Sequence, residues 1–362
     1  VTGDYNVFMG FSAGRGTTSG VYSSTVGIGY NAFYTINDSF SGVAIGSNAG
    51  YSQTDADRST FIGSSAGYYT TTGNDNTAVG ANALTKNQTG YSIVAIGKEA
   101  LYHQNVHSVV GVGTGAGYFS SGSSNVYVGT NAGYYQGSGT SNTYVGASAG
   151  RGFGLSVATA NTGNTGIGLN ALYTIQTGNF NVAVGGNSLS SLTTGTENVS
   201  IGYEASQILT NHGSNVHIGR SAGRYASGSS NTFIGKEAGQ GGTTSAPYSS
   251  GGNNTAVGYT ALTAFTTGHS NTAVGYQAGS EITSGTQNVF IGYQAGESST
   301  DTNNTIAIGN DAGRDGNLGD YTVIMGVYAG LTSTGASNTL LGYKAGFAIG
   351  AATSTVIIGA EA

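Results

Sequence analysis

The chain has 362 residues, 65 of them glycine, with one proline and no cysteine. Only 7% of residues are charged, and 10 basic against 16 acidic residues leave a net charge of −6. With no Lys/Arg cluster, no apolar run of membrane-spanning length and no every-third glycine, these figures exclude a nucleic-acid footprint, a spanning helix, a disulfide or thiolate-metal framework and a collagen helix.

One pattern organises the sequence from end to end: Asn-x-x-Val/Ile-Gly-x-x-Ala-Gly/Leu, complete in Asn271–Gly279. Its central glycine, here called the anchor, recurs from Gly10, Gly29 and Gly46 to Gly342 and Gly359, in 21 copies. Most copies lie 16 or 17 residues apart, as do Gly258, Gly275, Gly292 and Gly309. A fixed short period along a whole chain marks a solenoid, in which each coil packs mainly on its neighbours. The 38% hydrophobic residues, held in strict register, suffice for a continuous core. Residues 1–362 are therefore expected to form a single continuous all-β region, a parallel β-solenoid of about 21 coils. At about 4.8 Å per coil this is a rod on the order of 100 Å long.

Taken in chain order, each repeat begins with Asn four residues before the anchor, in 13 copies. Asn76, Asn125, Asn142, Asn181, Asn198, Asn215, Asn271 and Asn288 belong to this row. Stacked one per coil, they are predicted to form a structural amide ladder. A short strand follows. The residue three before the anchor is always β-branched and the one just before it always aliphatic. Side chains alternate along a strand, so these two share a face, predicted to point into the coil. The residue between them then points outward. It is Phe8, Ala44, Phe61, Ala78, Ala95, Tyr127, Tyr144, Ala183, Phe233, Ala256, Ala273, Phe290, Ala307, Ile324, Leu340 or Ile357, with Gly, Ser200 and His217 at the remaining copies. An outward apolar row of that length exceeds the patch a soluble monomer exposes. It is read as the seam between copies of the chain related by rotation about the rod axis, which would add burial to a coil too thin to hold much core.

Alanine lies three residues after the anchor in 20 of 21 copies, a second inward position with room for a methyl group. Glycine at the anchor, and often four residues later, fits turns that need positive φ or close backbone approach. The loops are short and rich in Thr and Gly, with two expansions near 151–163 and 240–253. Insertions in solenoids project from the stack and often bind, so Phe153, Leu155, Pro247 and Tyr248 are candidate lateral binding residues. Val1–Asp4 reads as the loop before a repeat and Ala362 as the alanine of another. The chain is accordingly expected to be part of a longer protein or to stack end to end.

Few residues suggest chemistry. His103 and His107 have a metal-ligand spacing but lie in no helical pattern, and His212 and His217 are read in the same way, with His217 a face residue of the strand before Ile218. Asp55, Asp57 and Arg58, and Asp315 and Asp320, read as solvated loop charges rather than as paired glycosidase carboxylates. The loops lack the Gly-Gly-x-Gly-x-Asp pattern of calcium-binding rolls. No cofactor or metal is expected. The 24 tyrosines fall largely one residue after the anchor (Tyr259, Tyr276, Tyr293) or five after it (Tyr34, Tyr51, Tyr68, Tyr102). They are read as ladders that stiffen the stack, or as a stripe that binds sugar or protein.

The Asn-x-x-Val/Ile-Gly-x-x-Ala core, as in Asn76–Ala83 and the related stretch Val43–Ala49, resembles the head repeats of YadA-like trimeric autotransporter adhesins. It also resembles the repeats of phage tail-fibre-like surface proteins. That resemblance implies a left-handed β-roll and a homotrimer on a cell surface or virion fibre. The expected function is a non-enzymatic fibre or adhesin shaft acting as a rigid extracellular spacer. Its partners would be copies of itself and a host surface glycan or protein, with no nucleic acid and no direct membrane insertion. Two alternatives are a glycan-binding module that uses the tyrosine rows or expanded loops, and a polysaccharide-processing solenoid enzyme. An ice-binding face would need an outward Thr array, whereas the threonines read as clustered in loops.

Overall fold

The computed structural model describes residues 3–16, 21–55, 57–154, 160–242 and 248–362; Leu155 and Pro247 lie outside them. Among the described residues every strand pairing is parallel and there is no helix, so the fold is an all-β parallel β-solenoid of about 20 turns with a spacing near 17 residues. The coils fall into two compact units, Val1–Phe180 and Asn181–Ala362. In each, three-residue strands end just before the anchor glycines. In the first unit Thr77, Ala78 and Val79 lie opposite Val94, Ala95 and Ile96. In the second, Thr255, Ala256 and Val257 lie opposite Thr272, Ala273 and Val274. A side pairing of Val21–Ser23 with Asp38–Phe40 adds a second, two-stranded sheet in the first unit.

The anchor must be glycine for a steric reason. Gly80 has φ +132°, and a Cβ there would stand 2.6 Å from the carbonyl of Gly97 in the next coil. Beyond the anchor the backbone turns through a second positive φ, at Asn82 (+58°), and a third, at Leu84 (+54°). The Ala83 amide closes this turn on the Gly80 carbonyl at 3.2 Å. Ala83 and its equivalents from Ala32 to Ala345 are buried, as expected of a methyl-sized inward position.

The two strand faces are the reverse of the sequence expectation. Ala44, Phe61, Ala78, Ala95, Tyr127, Tyr144, Ala183, Phe233, Ala256, Ala273, Phe290, Ala307, Ile324 and Leu340 are completely buried inside their own coils, and Phe8 and Ile357 are half-buried. They are core residues and cannot be an outward seam. The β-branched and aliphatic neighbours face out instead: Ile62 is 36% exposed and Ile167 41%. Space inside the coil explains the choice. Many levels hold one large group, at either the mid-strand residue or the residue four after the anchor, and where both are small, as at Ala273 and Gly279, side chains of the neighbouring levels such as Phe290 and Leu262 fill the space. Phe61 faces Gly67, where a Cβ would sit 2.4 Å from the Phe61 ring, and Tyr127 faces Gly133, with 2.2 Å. Where the strand residue is small, as at Ala78, Ala95, Ala183 and Ala256, the partner is Leu84, Leu101, Leu189 and Leu262, all fully buried. A pair of β-branched side chains per level would overfill this interior.

The third inward position, seven after the anchor, separates the two units in chemistry. In the first it carries mainly buried polar groups, Gln53, Thr70, Asn87, Gln104, Ser120 and Gln136, with buried Ile36 and Ile175 as the exceptions. In the second it carries mainly apolar groups such as Leu192, Leu209, Phe265 and Ile282, and the last two join that unit's continuous apolar core.

Candidate functional site: outward rows and aromatic files

The asparagine row is buried and bridges coil to coil. Asn271 Oδ1 accepts from the Asn288 amide (3.0 Å) and from Asn288 Nδ2 (3.0 Å), while Asn271 Nδ2 donates to the Gly285 carbonyl (2.8 Å). The same pattern joins Asn125 to Asn142, Asn142 to Asn164, Asn181 to Asn198, and Asn198 to Asn215. Asn76 donates to the Gly90 carbonyl at 2.8 Å and accepts from the Ile93 amide at 3.1 Å. At Thr305 and Thr322 a hydroxyl takes the amide's place, with Thr305 Oγ1 donating to the Gly319 carbonyl at 3.0 Å. These contacts satisfy buried main-chain groups, so the row is structural.

Outside the coil lie two kinds of row. The first is the strand face, with Ile, Val, Met or Leu before each anchor and Val, Thr or Ile two residues earlier. Thr60, Thr77, Thr232, Thr255 and Thr272 stand on this face, so the threonines are not confined to loops. The second kind is aromatic. In the first unit the rings of Tyr34, Tyr51 and Tyr68 stack at 4.8 Å, within 4° of parallel. Tyr102, Tyr118 and Tyr134 continue the file at 5.1 and 5.0 Å. Beside it run His103, Phe119 and Tyr135, stacked at 4.8 and 5.5 Å. Arg151 ends the double file, its guanidinium 5.2 Å from the Tyr135 ring centre and 5.4 Å from that of Tyr173. In the second unit Tyr259, Tyr276 and Tyr293 stack at 5.4 and 5.0 Å one residue after the anchor, and the Lys236 ammonium lies 5.0 Å over Tyr259.

The histidines serve packing. His103 stacks on Phe119, and burial together with the Lys86 charge lowers its pKa. His107 stacks on Tyr91 at 3.9 Å. His217 is fully buried against Phe233, and burial lowers its pKa to about 3. Its Nδ1 lies 2.7 Å from Ser206 Oγ, which already accepts from Ser200 Oγ, so the serine hydroxyl donates to a neutral ring.

Arg58 pairs with Asp75 at 2.6 Å, Asp320 accepts from the Asn303 amide at 2.7 Å, and Arg314 holds both Asp311 and Asp315. Among the described residues Glu297 is the one carboxyl with a raised pKa, through burial first and then the charges of Glu281 and Asp315. No group of three metal-ligating side chains forms among the described residues.

Of the expanded-loop candidates, Phe153 is 59% exposed and Tyr248 half-buried. These loops return to the stack through single bridges, Thr140 with Thr162 and Ala226 with Ser249. The chain matches no protein-family model and no curated protein. Sequence reasoning found the aromatic files by their offsets but missed that one file has a gap, at Thr85.

Proposed function

We propose that this chain is a non-enzymatic structural segment, the shaft of an extracellular fibre or adhesin on a cell surface or virion, acting as a rigid spacer. The observation that carries the reading is the coil-to-coil bonding within each unit. Sheet, anchor glycine and buried amide row all repeat at the same interval, a design that suits stiffness rather than a moving active site. The family resemblance supports a left-handed β-roll assembled as a homotrimer.

The seam between chains is the outward strand face, in place of the mid-strand row. In each unit that face carries a strip of aliphatic side chains, Ile45, Ile62 and Ile96 in the first and Ile201, Ile234 and Ile291 in the second, each 36–39% exposed, and a contiguous exposed apolar strip marks an interaction surface. A copy of the same chain has the same repeat and so matches the strip level by level. Light scattering tests the assembly: the expected mass is three times 36.0 kDa, falling to one chain in the triple variant Ile62→Asp, Ile234→Asp, Ile291→Asp. A wild-type chain that is monomeric and soluble at all concentrations refutes it.

A further inference from the structure

Between Tyr34 and Tyr134 the tyrosine file of the first unit is interrupted once. Tyr34, Tyr51 and Tyr68 stack at the coil interval, and so do Tyr102, Tyr118 and Tyr134. The coil between them carries Thr85 at the same offset from its anchor. Thr85 is short and 6% exposed, and its hydroxyl is turned onto the Asn82 carbonyl at 2.8 Å. Tyr68 and Tyr102 are therefore two coil rises apart, about 9.6 Å, with no ring between them. The gap is an open cavity of about 220 Å³, walled by these two tyrosines and floored by Thr85.

The rim of this slot carries polar groups without partners. Among the described residues the Asn82 amide and the Ser65 hydroxyl make no side-chain hydrogen bond, and both line the cavity. Lys86 also lines it. Its ammonium rests 4.8 Å over the Tyr69 ring and has no carboxylate within ion-pair distance among the described residues. A ring that replaces the missing tyrosine would stack on two aromatic faces, meet hydrogen-bonding groups at its edge and find one uncompensated positive charge.

We propose that this slot binds a single acidic pyranose, a hexuronic acid unit of a polysaccharide. The ring occupies the level of the absent tyrosine and the carboxylate lies on Lys86. Aromatic faces take the apolar C–H side of the sugar, Asn82 and Ser65 take ring hydroxyls, and the ammonium selects the acid. The inference is independent of the shaft reading, because a monomeric or trimeric chain would present the slot alike.

The test is calorimetric and NMR titration of the purified chain with methyl glucuronide, methyl glucoside and benzoate. The expected result is saturable binding of the glucuronide at one site per chain, weaker binding of the glucoside, and weaker binding of benzoate. Lys86→Ala should weaken glucuronide binding by roughly tenfold, the worth of one charge-assisted hydrogen bond, and leave the glucoside unchanged. Thr85→Tyr restores the missing ring, fills the slot and should abolish binding while the circular dichroism stays that of the wild type. The proposal is overturned by benzoate binding as tightly as the glucuronide, by a folded Thr85→Tyr chain that still binds, or by no glucuronide binding at tens of millimolar. Should Thr85→Tyr not fold, the Lys86→Ala arm decides alone: equal loss for glucuronide and glucoside, or no loss for either, also overturns it.

Discussion

Replacing Asn271 by alanine probes what the buried amide row contributes. The side chain accepts from the Asn288 main-chain amide and donates to the Gly285 carbonyl, and both partners belong to the next coil. Alanine leaves these two main-chain groups buried and unpaired, and water cannot replace the amide without opening the coil. At about 1–3 kcal/mol for each orphaned group, the loss is about 2–6 kcal/mol. Threonine is the informative control, because Thr305 already stands in the row and reaches the Gly319 carbonyl with its hydroxyl. Asn271→Thr should recover the bond to the Gly285 carbonyl and about half of the loss. Urea unfolding measures the total, and hydrogen exchange at the Asn288 amide localises it, since a solenoid responds mainly in neighbouring coils. An alanine variant within about 0.5 kcal/mol of wild type, below the cost of any orphaned buried group, would refute the reasoning, as would a threonine variant no better than alanine.

Two further outcomes follow from the geometry. Ala273→Asp places an unpaired carboxylate in the core and should cost about 3–5 kcal/mol, whereas Val274→Asp, at a position 36% exposed, should leave the folded chain's circular dichroism intact; the opposite ranking in thermal melts would restore the outward assignment of the mid-strand row. His217 is neutral in the folded chain with a pKa lowered to about 3 from an unfolded 6.5. Below pH 6.5 the unfolded chain therefore takes up a proton that the folded chain refuses. Stability should fall from pH 6.5 toward pH 3 by up to about 1.4 kcal/mol per pH unit, and His217→Phe should remove that slope in melting curves.

Much of the fold was legible because the repeat fixes it. The strands, the anchor glycines, the inward alanines and the asparagine row all stand at offsets readable in Asn271–Gly279. Which strand face turns inward was not legible from alternation, which says only that Thr272 and Val274 share one side and Ala273 has the other. Hydrophobicity favours the β-branched pair, but interior volume decides against it. The deciding signal was present in the sequence as a correlation of sizes: Phe61, Tyr127, Tyr144, Phe233 and Phe290 each precede a glycine six residues later, and every mid-strand residue that precedes a leucine there, as at Ala78, Ala95, Ala183 and Ala256, is small. Only residues that compete for one space covary in that manner. The slot at Thr85 was hidden for a different reason. Its walls come from the coils on either side, and its one sequence signal is the threonine at the offset that carries tyrosine in both neighbours.

The amide row also gives each stack a direction. Asn271 donates forward to a carbonyl 14 residues on and accepts from an amide 17 residues on, and Asn125 and Asn198 do the same with their own neighbours. A coil with nothing docked after it therefore presents unfilled amide valences that match the next coil's backbone and no other register. Each coil is thus a template for the register of its neighbour, and a solenoid can extend from any coil already formed. A slipped coil would leave those valences unmet at the first level, before the error could propagate.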